Sequence, residues 1–347
     1  MDCFETFSTF FYQNRVFING KPYPLGQVTA DVLNLDPQIF VQIEKHTASM
    51  LPPASEFFRH PSKAFAREAQ PKLNAVWDLI FALPLYRDLA IDKDPYYHLF
   101  QLLLDDPEKL AVIKDHTSEY YIGLVKILHD LALMGEGLFR FQKLCSLFLD
   151  HYLEPIKIRN TENYAMAFAN YHSDLLYSAI KHDRDAEWGR NFPIEVSFVP
   201  MAHETEPGKV ILAEKAKFTS ILDFLPTEFY RGLMVGNAPR RCHNCGRYFL
   251  LTTGYNMCYC NNIALGETER TCRMIGAHRK ESLGKENQTP VQREYAKAYN
   301  RLKQRRYRDK IDTDQWNTDV ANAQHIVEQS EQGKLDDEEA ISLLREI

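Results

Sequence analysis

The chain has 347 residues, 45% apolar and 25% charged, with a formal net charge of −6. These are ordinary globular proportions, which exclude a mainly disordered, collagen-like or disulfide-framework protein. At roughly 150 residues per domain, the length suits two or three domains.

No run of about 18 apolar residues is present, so no membrane-spanning helix is expected. The most apolar helical segment, Ile122 to Met134, is interrupted by Lys126, His129 and Asp130. The start, Met1-Asp2-Cys3-Phe4-Glu5, lacks the basic opening and apolar run of a signal peptide. A cytoplasmic location is therefore expected.

The first 30 residues read as irregular, except for a hairpin turn at Asn19-Gly20 after Val16-Phe17-Ile18. Leu35 to Met50 reads as a short helix stopped by Pro52-Pro53. From Ser55 to about His182 the periodicity is helical. Val76, Leu79, Ile80 and Leu83 share one face, as do Tyr121, Leu124, Leu128 and Leu131. Pro61, Pro71, Pro84, Pro95 and Pro107 punctuate this region, and Asp105-Asp106 reads as a cap before Pro107. The aromatic residues Phe57, Phe58, Tyr96, Tyr97, Tyr120 and Tyr121 read as core.

Ile194 to Val199 alternates as a strand, with Val210-Ile211-Leu212 as its partner. Ala216 to Met234 reads as helix, broken or restarted at Pro226. Gly236-Asn237-Ala238-Pro239 reads as a linker. The expected organisation is a mainly helical domain over residues 1–239, a zinc finger over 240–288, and a basic helix with an acidic helical tail over 289–347. The fold class is mainly α with small β elements.

Five of the seven cysteines, Cys242, Cys245, Cys258, Cys260 and Cys272, lie within 31 residues. In a chain without export signals, clustered cysteines indicate metal more often than disulfides. Cys242-x-x-Cys245-Gly246 has the spacing of a zinc knuckle, whose tight turn aims both sulfurs at one ion. Tyr248 to Leu251 suits a strand, Thr253-Gly254-Tyr255-Asn256 a hairpin turn, and Tyr259-Cys260 the end of a returning strand. Cys272 then opens a basic segment. Knuckle, hairpin and helix start form the arrangement of a treble-clef finger. The expected ligands of one structural Zn²⁺ are Cys242, Cys245, Cys260 and Cys272. Cys258 stands as an alternative to Cys260, and His243 and His278 as substitutes. Four thiolates leave no coordination position open for catalysis.

Arg241-Cys242-x-x-Cys245-Gly246-Arg247-Tyr248-Phe249, then Tyr259-Cys260, then Cys272 before basic residues, resembles the CGNR-type zinc finger. That finger closes a group of bacterial proteins with a helix-rich N-terminal domain, thought to be transcription regulators. The resemblance implies a treble-clef zinc site and nucleic-acid binding. Here Arg273-Met274-Ile275 follows Cys272 where the namesake finger has Gly-Asn-Arg, and the interval from Cys260 to Cys272 is longer. Only the metal ligands are carried over.

Charge is distributed in blocks. Residues 240–310 hold 16 Lys and Arg against 6 Asp and Glu, whereas residues 311–347 hold 2 against 10. Thr289-Pro290-Val291-Gln292 carries several start signals of a helix running to about Lys310. Arg293, Lys297, Arg301 and Arg305 recur every four residues on it. Tyr295, Tyr299 and Leu302 form another face, expected to dock on the finger or the N-terminal domain. A stripe of cations of this kind suits a phosphate backbone. The expected nucleic-acid contacts are Arg273, Arg279, Lys280, Arg293, Lys297, Arg301, Arg305 and Arg308. Helices are expected from Asp319 to Gln332, after Trp316, and from Asp336 to Ile347. That acidic tail is expected to shield the basic helix.

No phosphate-binding glycine loop, nucleophile elbow or His-Glu-x-x-His helix is present. The sequence therefore points to a binding protein rather than an enzyme. The expected partner is nucleic acid, DNA more readily than RNA, with a protein or ligand contact through the N-terminal domain and no membrane. The competing expectation is a protein–protein adaptor with a purely structural zinc module.

Overall fold

The computed structural model describes residues 4–173, 194–203, 206–252, 257–286 and 288–347. It is about 59% helix and 13% strand, so the chain is mainly α with small β elements. Two compact units divide it, Met1–Cys260 and Asn261–Ile347.

The first unit opens with strands β1 (Phe7–Tyr12), β2 (Arg15–Ile18) and β3 (Lys21–Pro24). The expected turn joins β2 to β3, and both Asn19 and Gly20 have the positive φ that such a two-residue connection requires. β1 corrects the expectation of irregular chain. Phe7, Thr9 and Phe11 alternate inward along it.

Helix α1 (Gln27–Leu33) follows, then α2 (Gln38–Arg59) and α3 (Lys63–Phe81). The expected stop at Pro52-Pro53 does not occur, and Pro71 lies within α3. An interior proline costs about 3 kcal/mol. Met50, Ala54, Phe57 and Phe58 bury along the same helix. Each of the larger side chains contributes about 1.5–3 kcal/mol on burial, which offsets the break.

Short helices α4 (Asp94–Tyr97), α5 (Leu99–Asp105) and α6 (Pro107–Lys114) lead to α7 (Glu119–Phe148). Asp106 caps α6 as expected, accepting from the backbone N–H groups of Glu108 and Lys109. A π-helical turn, Leu149–Leu153, ends α7, and α8 (Thr161–Ser173) follows. The helical reading over 174–182 lies outside the described residues.

β4 (Glu195–Ala202) and β5 (Val210–Phe218) pair antiparallel as expected, but Val210, Ile211 and Leu212 lie opposite Ala202, Met201 and Pro200, and the expected strand up to Val199 pairs with Ala213 to Lys217. Ala216 to Phe218 belongs to β5 and not to the following helix, α9 (Ile221–Met234), which runs unbroken through Pro226. β5 also pairs with β1, Phe7 opposite Phe218, giving one five-stranded sheet in the order β3-β2-β1-β5-β4. The core joins Phe7, Phe218 and Phe224 to Phe4, Trp77 and Tyr86.

Glu228 of α9 ties this core to α1. Its fully buried carboxylate accepts from the Gly26 and Thr29 backbone N–H groups at 2.5 and 3.2 Å and from Thr29 Oγ1 at 2.5 Å. The positive end of α1 suits it. Burial nevertheless dominates over these hydrogen bonds and pushes the carboxyl from 4.5 up to about 7. A raised folded-state value means that the protonated form is favoured by folding. That contribution is complete below pH 4.5 and is lost as pH rises through 7. Glu228→Gln is expected to remove this component, about 3 kcal/mol of the wild-type change across that interval. Denaturant unfolding of both proteins at several pH values checks it; parallel stability profiles would contradict the assignment.

The first unit closes with β6 (Ala238–Arg241) and β7 (Tyr248–Leu251), an antiparallel pair. Gly236 to Pro239 was expected to be a linker. Instead Asn237 is buried and Ala238 and Pro239 open β6.

The second unit contains α10 (Cys272–Glu286), α11 (Pro290–Tyr307), α12 (Thr313–Glu331) and α13 (Asp337–Glu346). Thr289 and Gln292 form the expected capping box. α12 starts earlier than expected because Asp312 caps it, so Trp316 lies within the helix. The last three helices pack around Val291, Ala323, Ala340 and Leu344. The tyrosine face of α11 was expected to dock elsewhere, but Tyr295 packs on this core and Tyr299 on Trp316, with ring centroids 5.4 Å apart.

Candidate metal centre

β6 and β7 run antiparallel up to the pair Arg241–Tyr248, and the chain between them is the Cys242–Arg247 turn. Cys242 N–H donates to Arg247 O at 2.8 Å, and Gly246 N–H to Cys242 O at 2.9 Å. Gly246 takes φ +74°, a left-handed conformation that glycine adopts without steric cost. The hairpin thus spans the cysteine turn. The expected return strand ending at Cys260 does not form, because β7 pairs backward with β6 and 257–260 is irregular. The turn expected at 253–256 lies outside the described residues.

The Sγ atoms of Cys242, Cys245, Cys260 and Cys272 all lie within 4.8 Å of one another. Cys242, Cys260 and Cys272 are buried, and Cys245 is half-buried. Cys245 Sγ and Cys260 Sγ are 3.7 Å apart. A regular tetrahedron with metal–sulfur bonds near 2.3 Å has sulfur separations of about 3.8 Å. The set therefore fits one tetrahedral ion.

The local hydrogen bonding favours thiolate. Burial raises the Cys242 pKa, but backbone N–H groups of Cys245, Cys260 and Asn244 outweigh it and bring the thiol down to about 7. The Cys260 N–H donates to Cys242 Sγ at 3.3 Å. Cys258 is not one of the four; its carbonyl accepts from His243 N–H at 2.9 Å. His243 is directed elsewhere, its Nε2 lying 2.8 Å from Glu154 Oε1. His278 is exposed on α10.

Two acidic residues at the end of α7 and its π turn hold the cysteine hairpin. Glu154 accepts from Arg240 through both oxygens, at 2.7 and 3.1 Å, and from Arg159 at 3.2 Å. Both guanidinium side chains are almost fully buried. Partial burial would raise the Glu154 pKa, but hydrogen bonds from Arg240 and His243 overcome it and hold the carboxyl below its ordinary value. Asp150 pairs with Arg241 at 2.8 Å, and Arg241 donates to Tyr248 Oη at 2.8 Å. The side-chain amide of Asn34, at the end of α1, donates through Nδ2 to Tyr248 O and accepts through Oδ1 from Tyr248 N–H, both at 2.8 Å. Sequence reading missed Asp150, Glu154 and Asn34 because nothing local marks a partner so far along the chain.

The expected nucleic-acid contacts are divided. Arg273, Arg293 and Arg308 are exposed, and the side chains of Arg279 and Lys280 lie outside the described residues. Lys297 is exposed and bonds Glu294 at 3.0 Å. Arg301 donates to Leu344 O at 2.7 Å and Arg305 to Ile347 O at 2.8 Å. These two arginines thus satisfy terminal carbonyls of the α13 segment, where cations are favoured. Arg301 and Arg305 therefore meet the tail through main-chain oxygens and not through its acidic side chains.

No helix among the described residues is long and apolar enough to cross a membrane. No curated protein matches the chain, and no solved structure matches it. Residues 189–343, which contain the four cysteines and α11, match the model of DUF6076, a family of unknown function.

Proposed function

We propose that the chain is a nucleic-acid-binding protein whose four cysteines hold one structural Zn²⁺. The observation that carries the reading is the approach of four sulfurs to tetrahedral spacing beside a cation-rich segment. An all-sulfur donor set selects soft or borderline ions, and a mononuclear tetrahedral site suits zinc. The knuckle at Cys242–Cys245 and a fourth ligand on the first residue of α10 support a treble-clef relationship to the CGNR-type finger. The ion would supply cross-linking and charge neutralisation, and it would have no open position for a substrate. In this reading the protein is a cytoplasmic bacterial regulator acting on DNA, not an enzyme.

The cations available to phosphate are those without an intramolecular role. Arg293, Lys303 and Arg308 are exposed and have no ion pair among the described residues. If about six phosphates are neutralised, log K falls against log salt with a slope of roughly −5. A filter-binding titration on duplex DNA of arbitrary sequence is expected to give that slope. Replacing Arg293, Lys303 and Arg308 together with Ala is expected to flatten it by about 3 while leaving the unfolding midpoint unchanged. A salt-independent affinity, or one indifferent to the triple replacement, removes nucleic acid from the reading.

The bonds from Arg301 and Arg305 to α13 favour a second reading, a protein–protein adaptor whose basic helix mainly holds its own bundle together. Zinc content unchanged with no DNA affinity would select it.

A further inference from the structure

Helix α7 buries one face and leaves the other in water. Leu124, Leu128, Leu131, Leu138 and Phe141 are buried along its inner side. On the outer side Ile122, Val125, Leu133 and Phe139 keep 40–55% of their surface exposed. Lys126, His129, Glu136 and Lys143 are exposed among them. These positions recur at intervals of three and four residues, so they lie on one stripe of the helix. Its C-terminal half borders a groove of about 360 Å³ between α7 and α2, walled by Phe40, Val41, Phe139 and Arg140. Val41 is exposed there as well. Single apolar side chains are ordinary on a surface, but four on one helix face beside a fifth on its neighbour form a patch.

The charges on the stripe indicate what covers it. Consider α7 antiparallel to α7 of a second copy, with the two-fold axis at the level of Leu131. Residues equally far on either side of that level then lie opposite each other. Lys126, five residues before it, faces Glu136, five after it. Glu119, twelve before, faces Lys143, twelve after. Two-fold symmetry repeats each pairing, so all four cross-pairs are attractive. Val125 of each copy comes beside Phe139 of the other, at the groove. Neighbouring registers lose this match. With the axis at Leu133, Lys126 meets Arg140 and Asp130 meets Glu136, all like charges. With the axis at His129, Lys126 meets Ala132 and the two His129 rings meet each other.

We propose that the outer face of α7 is a self-association surface, through which two copies of the chain pair antiparallel about a two-fold axis at Leu131. The apolar residues supply the attraction, and the charges at their edge fix the register. The contact lies wholly within the first unit. It is independent of the cysteine centre and of nucleic-acid binding, and stands or falls separately from them.

Sedimentation equilibrium of the full chain, from about 1 to 100 µM, tests the proposal. The wild type is expected to pass from monomer to dimer within that range. Leu133→Glu is expected to raise the dimer Kd at least about tenfold and, because Leu133 is exposed, to leave the melting temperature unchanged. Lys126→Glu alone and Glu136→Lys alone are each expected to weaken the dimer about tenfold, since two of the four cross-pairs then repel. Mixed in equal amounts, these two variants are expected to associate as tightly as the wild type. A copy with acid at both positions then meets a copy with lysine at both. Damage to folding in either variant would not be repaired by mixing. A wild type monomeric at about 100 µM would overturn the proposal and leave the stripe to a different protein. A dimer indifferent to Leu133→Glu, or a mixture no tighter than its components, would overturn it as well.

Discussion

Cys272→Ser is expected to release the metal ion and to unfold the loop between Cys260 and Cys272. Cys272 is fully buried and is the first residue of α10. Between it and Cys260 only Ala264 is buried, so the loop has almost no apolar core of its own. A residue's backbone costs about 1–2 kcal/mol to order, and burying one alanine does not offset eleven of them. Zinc binding to such a site contributes about 10–16 kcal/mol of apparent free energy near neutral pH, which does. The purified wild type is expected to contain one zinc per chain by elemental analysis, and the Ser variant far less than one. Limited proteolysis is expected to cut the variant between 261 and 271 and to spare the core of the first unit. A variant that keeps its metal and its protease resistance would show that the four sulfurs are neighbours without being ligands.

The next largest effect is expected from Glu154→Ala, a destabilisation of about 3–5 kcal/mol. The loss does not come mainly from the missing attraction. It comes from Arg159 and Arg240, which remain buried with their common carboxylate gone. Arg240 would keep its bond to Met257 O at 2.8 Å. Glu154→Gln keeps an acceptor and should lose less. A double variant, Glu154→Leu with Arg240→Met, should recover much of the difference, because it removes the stranded charge along with its partner. Urea denaturation of the four proteins decides the matter. A cost for Glu154→Ala within about 1 kcal/mol of zero would mean that water reaches both guanidiniums.

Much of the architecture was readable wherever the determinant is local. The Asn19-Gly20 turn, the Asp106 cap and the Thr289–Gln292 capping box each rest on contacts within a few residues, and each occurs where the sequence places it. The four metal-ligand candidates were also readable, because cysteine spacing reports the geometry that metal demands. What escaped reading depends on distant partners. β1 shows the alternation Phe7, Thr9, Phe11, but the strand it needs is β5. Prolines 52, 53 and 71 break helices in isolation, and only the packing of α2 on α3 and α7 explains why they do not here. The basic stripe was visible as a pattern, yet its division between free cations and those bonded to α13 is a property of the bundle.

The position of β1 has a consequence for biosynthesis. The strand is made first, but it sits in the middle of the sheet and must wait for β5 before one of its edges is covered. Until then the ribosome-bound chain presents an unpaired edge bearing Phe7 and Phe11, the kind of surface that recruits other strands. Pairing across such a long interval also makes closure slow. The sheet cannot close until β5 has been made, and any fragment ending before β5 leaves one edge of β1 without its intramolecular mate.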